Sequence, residues 1–205
     1  MTDWRGLGRA AWSARLQEAG VDAVLAADLA SFLVVLGTFS KAMDLVGRVD
    51  AARLVREHVL ESLAAAPLMP ERGRLLDVGS GNGFPALPLL LARRSVAGVL
   101  LEPRERRWAF LREAVRDLEL DADVRRERLE SHAGSGYDVV TVRAVAPEVW
   151  APRCAELVGG NGVVLWWAAA GAGEGVEVPG MRCVLTSRLP DPGRGGVTVW
   201  RRCST

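Results

Sequence analysis

A chain of 205 residues with 49% apolar and 25% charged side chains suits one folded globular unit and excludes a disordered or fibrous chain. Its net charge of +1 lacks the strong basic excess that many nucleic-acid-binding domains carry. Three widely spaced cysteines, Cys154, Cys183 and Cys203, form no CxxC pair, which argues against a disulfide framework or a zinc site.

The opening MTDWRGLGRA lacks the basic-then-apolar order of a signal peptide. The apolar run at 29–37 is broken by Ser31 and falls short of the ~20 residues that a bilayer requires. A cytoplasmic, membrane-free monomer is the expectation. Before residue 70 the pattern is helical. Trp12, Leu16 and the series Val21, Leu25, Leu29, Phe32, Leu33, Leu36 recur at three- and four-residue spacing. A further helix is predicted over 50–63, with Leu54, Val55, His58, Val59 and Ser62 on one face. Pro67 and Pro70 end it.

After residue 70 strands and helices alternate. Strands are predicted at 74–78, 96–102, around Val124, at 137–142 and at 162–167, with helices at 84–93, 105–118 and 148–158. Two β-rich segments, 181–189 and 196–203, flank the turn-rich DPGRGG and predict an antiparallel hairpin at the sheet edge, while GAGEG at 171–175 reads as a loop. Alternation of this kind means parallel βαβ units with right-handed crossovers. The expected fold class is therefore α/β, a doubly wound, mostly parallel sheet (residues 71–205) behind a helical N-terminal cap (residues 1–70). Eight arginines between Arg104 and Arg128 alternate with Glu105, Glu113 and Asp117, as on a solvated helical face.

The string LLDVGSGNGFPALPLL places Gly79, Gly81 and Gly83 directly after the first strand and before a helix. In such sheets ligands settle at the carboxyl ends of strands beside the first one, and glycine lets a ligand approach the main chain. A dinucleotide-binding loop requires glycine three positions after the second one, and Phe84 stands there instead. The arrangement D-x-G-x-G-x-G beginning at Asp77 looks like the S-adenosylmethionine loop of class I methyltransferases. Glu102 ends the second strand, roughly 20 residues beyond the glycines, where a carboxylate accepts ribose hydroxyls in nucleoside-binding folds. Capping of the helix after Pro103 is its alternative role.

The whole string LDVGSGNGFPALPLLLA is similar to the L-D-V-G-S-G-x-G-F-P-G-x-P-L signature of the glucose-inhibited division protein B family, bacterial methyltransferases acting on a guanine N7 of small-subunit ribosomal RNA. The likeness runs through HVLESL (58–63), FLREAVRDLEL (110–120), ERLE (127–130) and YDVVTVRAVAP (137–147), and so covers roughly residues 30 to 170. It implies a seven-stranded class I methyltransferase fold that binds S-adenosylmethionine. Asp77, Gly79, Ser80, Gly81, Gly83 and Phe84 would line the cofactor, with Glu102 on its ribose and the backbone at Leu129 and Glu130 on its adenine. Arg143 would face the methyl-transfer pocket as the candidate catalytic residue; its alternative is a salt bridge to Asp138 or Glu148. The implied partner is ribosomal RNA within the 30S subunit.

The chain departs from the family at several substrate-side positions. Ala168 stands where the family has lysine, Phe39–Val46 loses both asparagines and the threonine of W-N-x-x-x-N-L-T, and Glu61 replaces the aspartate that follows the histidine. These changes keep open a relative acting on another RNA or a small molecule, or one that binds the cofactor without turnover. A nicotinamide dehydrogenase is the outside alternative. His58 is expected in a structural or gating role, His132 as an incidental loop residue, and Trp166 and Trp167 as core.

Overall fold

The computed structural model describes residues 3–170, 176–189 and 195–203. The loop expected at 171–175 and the DPGR part of the terminal turn lie outside the described residues. Helix α1 spans Arg9–Glu18 and α2 spans Ala23–Ser40. Asp22 starts α2 by accepting from the main-chain N–H groups of Val24 and Leu25, at 2.9 and 3.3 Å, which satisfies two donors that a first turn leaves open. Leu29, Phe32, Leu33 and Leu36 line its inner face and are fully buried. By length and composition α2 could cross a bilayer, but this face lies in the protein's own core.

Next come α3 (Ala51–Leu54), a π-helical stretch (Val55–Leu60) and α4 (Glu61–Leu63). The single helix expected over 50–63 is thus present but interrupted. Leu54, Val55, Val59 and Ser62 do share the buried face, while the π stretch sends half-buried His58 toward the crevice described below.

The sheet strands are β1 (Gly73–Val78), β2 (Val96–Leu101), β3 (Ala122–Arg125), β4 (Tyr137–Arg143), β5 (Val158–Ala168), β6 (Met181–Arg188) and β7 (Gly196–Arg202). Their spatial order is β3-β2-β1-β4-β5-β7-β6. Strands β1 to β5 pair in parallel. The hairpin does sit at the edge, with β7 antiparallel to both β5 and β6. Sheet order reverses beside β1, between it and β4.

Both faces of the central strands β1, β2, β4 and β5 are largely buried, so these strands are apolar runs, whereas β6 at the edge is mostly exposed. Leu75, Val139, Leu165 and Trp167 point into one core with α1, α2, α5 (Ala86–Ala92) and α6 (Glu105–Asp117). Their chain neighbours Leu76, Val140, Val164 and Trp166 point into the other, with Trp150 and Leu157. Each fully buried leucine or valine contributes about 1.5–3 kcal/mol of transfer free energy. The N-terminal helices share the first core with the sheet, so one hydrophobic interior joins the cap to the strands.

The helix expected over 148–158 is a chain of short turns, α7 (Pro147–Trp150), a 3₁₀ turn (Ala151–Arg153) and α8 (Cys154–Leu157), and Val158 already belongs to β5. Pro152 explains the break, because it has no N–H to offer the Glu148 carbonyl and its ring crowds that carbonyl. In α5, by contrast, Pro88 falls in the first turn, where an N–H has no helical partner to lose. The cysteines are unpaired, Cys154 in the core and Cys183 and Cys203 exposed.

Candidate active site

The carboxyl ends of β1, β2, β3 and β4 open into a crevice of about 560 Å³, at the point where strand order reverses. One wall is the loop after β1. Gly81 takes φ +51°, and its N–H donates to Glu102 Oε2 at 3.0 Å. A Cβ there would project into the space beside Arg107 and Glu102, with ordinary contact distances of 3.6 and 3.8 Å. Gly83 answers a different need. A Cβ on it would come 2.7 Å from Leu87 Cδ1 and 3.2 Å from the Phe32 ring, so its missing side chain serves packing of α2 against α5. Gly79 borders the crevice pressed against Val145, whose Cγ2 would lie 2.9 Å from a Cβ on it.

Glu102 is 3% exposed and lines the crevice. Its Oε1 accepts from the Arg104 N–H at 2.8 Å, its Oε2 from Gly81, and each oxygen keeps a further lone pair. Both roles weighed for it are compatible, since the same carboxylate braces the loop and faces the cavity. Phe84 also lines the crevice, edge-on to Phe32 and 5.1 Å from the His58 ring. Asn82 ties the loop to the cap, donating from Nδ2 to the Leu45 carbonyl at 3.1 Å.

Asp77, Ser80 and Gly83 are not among the lining residues. Asp77 lies beneath the loop, 1% exposed, accepting at Oδ1 from the Thr141 hydroxyl at 2.7 Å, while among the described residues buried Oδ2 has no partner at hydrogen-bond distance. Burial pushes this carboxyl up to about 6, and the Thr141 bond only partly opposes the shift. Ser80 donates to the Asp77 carbonyl at 3.2 Å.

The opposite wall carries Arg143 at the end of β4. Its Nη2 donates to the Glu57 carbonyl at 2.7 Å and to Glu61 Oε2 at 2.6 Å. Neither Asp138 nor Glu148, the partners weighed from the sequence, takes this ion pair. Asp138 instead accepts the Arg74 N–H at 2.8 Å, and the cap supplies Glu61, 82 residues upstream. Ala144 follows with φ +56°, a left-handed conformation uncommon for a residue with a side chain and a form of strain that clusters at ligand sites.

Beyond β3, Glu127, Arg128, Leu129 and Glu130 form the far end. His132 is not the incidental loop residue expected. It is 1% exposed, with Nδ1 2.7 Å from Glu127 Oε1 and Nε2 2.9 Å from the Tyr137 hydroxyl. Burial raises the Tyr137 phenol above its ordinary value. Trp166 and Trp167 are both core, and Trp167 donates to the Glu61 carbonyl at 2.8 Å. Ala168 is buried at the end of β5, outside the crevice.

The arginine run behaves largely as a solvated face. Arg116 pairs with Glu113 and Asp117, Arg125 with Asp123, Arg126 with Glu105, and Arg112 stacks on Trp108. Arg104, Arg107 and Arg128 differ: among the described residues none has a carboxylate partner, and all three line the crevice. Sequence reasoning missed Glu127, Arg107, Asn82, Val145 and Val149 as lining residues. Asn82 carried a signal in its place inside the glycine loop, and Glu127 and Val145 in the family-like stretches at 127–130 and 137–147; Arg107 and Val149 carried none.

A family model described as rRNA small subunit methyltransferase G matches residues 25–184. The ribosomal RNA small subunit methyltransferase G of Salinispora arenicola is 44% identical over 167 residues, covering 76% of this chain and 69% of that protein. Its counterpart from Acidothermus cellulolyticus is 40% identical over 169 residues, covering 80% and 73%. Among solved structures, the mitomycin 7-O-methyltransferase MmcR superposes with a TM-score of 0.60 at 17% identity, over 98% of this chain and 70% of that one, a likeness of fold.

Proposed function

The chain belongs to the rRNA small subunit methyltransferase G family and is an S-adenosylmethionine-dependent methyltransferase, and we propose that its acceptor is N7 of a guanine in small-subunit ribosomal RNA, met in the cytoplasm within the 30S subunit. The observation that carries this reading is the crevice itself. A glutamate-braced glycine loop forms one wall and an arginine held by a buried glutamate forms the other.

The residues present fit an adenosyl compound. Gly81 keeps the crevice clear of a Cβ, Phe84 supplies an apolar wall, and Glu102 offers charged acceptors to ribose hydroxyls. Its volume of about 560 Å³ falls in the range of small-molecule sites. When bound, S-adenosylmethionine supplies an electrophilic methyl group on a sulfonium. Guanine N7 bears an unprotonated lone pair, so no residue has to remove a proton. The work left to the chain is orientation and exclusion of water, which can lower a barrier by several kcal/mol. Arg143, fixed by Glu57 and Glu61, suits the O6 of guanine or a neighbouring phosphate, which leaves the N7 lone pair free to attack. Val145, Val149 and His58 close the apolar rim.

The test is transfer of a labelled methyl group to 30S subunits lacking this modification, followed by chain cleavage at 7-methylguanine. Incorporation at one guanine is expected. No incorporation while the cofactor binds overturns the acceptor assignment. Ala168 and the altered Phe39–Val46 segment favour a second reading in which another RNA or a small molecule is the acceptor, and free RNA and a small-molecule fraction offered in parallel separate the readings.

A further inference from the structure

The chain Tyr137–His132–Glu127 runs from the core to the crevice wall beyond β3, and the mechanism above does not use it. Its geometry is built rather than incidental. The His132 side chain is wholly buried, and the main chain at Gly134 folds so tightly over it that a Cβ there would come 2.5 Å from both His132 Nε2 and the Tyr137 hydroxyl oxygen. A carboxylate can only accept, so Nδ1 carries a hydrogen and donates it to Glu127 Oε1. Arg125 addresses the same oxygen at 4.0 Å. Among the described residues Glu127 Oε2 takes no hydrogen bond, and the side chain lines the crevice.

An adenine edge needs an acceptor for its 6-amino group. Two of the main-chain carbonyls at this wall are already engaged. The Leu129 carbonyl already accepts from the Arg153 guanidinium and from the His132 N–H at 3.1 Å, which occupies both lone pairs, and the Arg128 carbonyl accepts from the Ser131 N–H at 3.1 Å. Glu127 Oε2 meets the need.

We propose that Glu127 is the specificity residue for the adenine base of the cofactor, accepting from its 6-amino group, with His132 as the positioning residue that fixes the carboxylate. This rests on the adenosyl reading of the crevice. The test is titration of the full chain with S-adenosylhomocysteine and with S-inosylhomocysteine, which replaces the 6-amino donor by a carbonyl acceptor. Wild type binds the adenosyl compound more tightly by about tenfold or more, the scale of a hydrogen bond to a charged group. Glu127→Gln, whose amide can donate to a carbonyl, loses that preference. His132→Leu reduces it, and His132→Asn, which keeps a donor at the Nδ1 position, restores it. A merely structural role would weaken both ligands alike and leave their ratio unchanged. An undiminished preference in Glu127→Gln overturns the proposal while leaving the methyltransferase reading intact. Failure of wild type to bind either nucleoside overturns both.

Discussion

Arg143 at the end of β4 and Glu61 in α4 form an ion pair of 2.6 Å, with the glutamate side chain 3% and the arginine 15% exposed. This contact fastens the N-terminal cap to the strand that ends at the crevice, and Trp167 reinforces it by donating to the Glu61 carbonyl. Removing one member of a buried pair leaves its partner's charge poorly solvated, whatever the pair contributes when intact. Glu61→Ala is therefore expected to destabilise the fold by about 3 kcal/mol in urea unfolding. Methyl transfer should fall further than the folded fraction does, because Arg143 loses its orientation. Glu61→Gln, which retains an acceptor, should lose less on both counts; equal losses in the two variants would show that the charge is irrelevant.

The same pair marks where sequence reading stopped. The central strands were legible as apolar runs because both their faces are buried, and the glycine loop because left-handed conformations leave a residue-type signature. Glu102 was legible from its spacing to that loop. Glu61 and Arg143 sit 82 residues apart and meet only through the packing of the cap on the sheet, which no local pattern encodes. Glu127 was legible as part of the family-like ERLE, but its contact with His132, five residues on in a segment without regular period, was not. The break in the helix before β5 was readable in principle from Pro152, but its apolar neighbours masked it.

Glu102 combines two jobs, bracing Gly81 and Arg104 and facing the crevice. Glu102→Ala should weaken binding of S-adenosylhomocysteine by ~1–3 kcal/mol in calorimetric titration. Glu102→Gln distinguishes the two jobs. Its carbonyl oxygen can hold only one of the two N–H groups, so part of the loss should persist although the volume is unchanged. Wild-type affinity in both variants would remove the ribose assignment.

Asp77 gives a pH-dependent signature. Burial raises its carboxyl from 3.8 to about 6 in the folded chain, so folding favours the protonated form. Its contribution to stability is fully present below about 3.8 and is lost as pH rises through about 6. A shift of this size corresponds to roughly 2–3 kcal/mol. Asp77→Asn cannot ionise, so the difference in unfolding free energy between variant and wild type should grow in the variant's favour from pH 4 to pH 7. A pH-independent difference would mean that Asp77 ionises in the folded chain as readily as in the unfolded one.

Gly81 and Gly83 lie two residues apart, both left-handed, and the same substitution should act on different quantities at each. In Gly81→Ala the methyl group meets only ordinary contacts, at 3.6 Å or more from Arg107 and 3.8 Å from Glu102, so the stability loss is the left-handed backbone cost of about 1–2 kcal/mol. That methyl group projects into the crevice, and affinity for S-adenosylhomocysteine should drop at least tenfold in the folded protein. In Gly83→Ala the backbone cost is joined by a collision at 2.7 Å with Leu87, whose branch is held between α2 and α5. Overpacking of this kind adds about 1–3 kcal/mol. Gly83→Ala should thus unfold at clearly lower urea than Gly81→Ala, while its folded fraction binds the ligand nearly as wild type does. Reversal of that order, with Gly83→Ala the weaker binder and the more stable chain, would relocate the ligand from the Gly81 side of the loop to the α5 side.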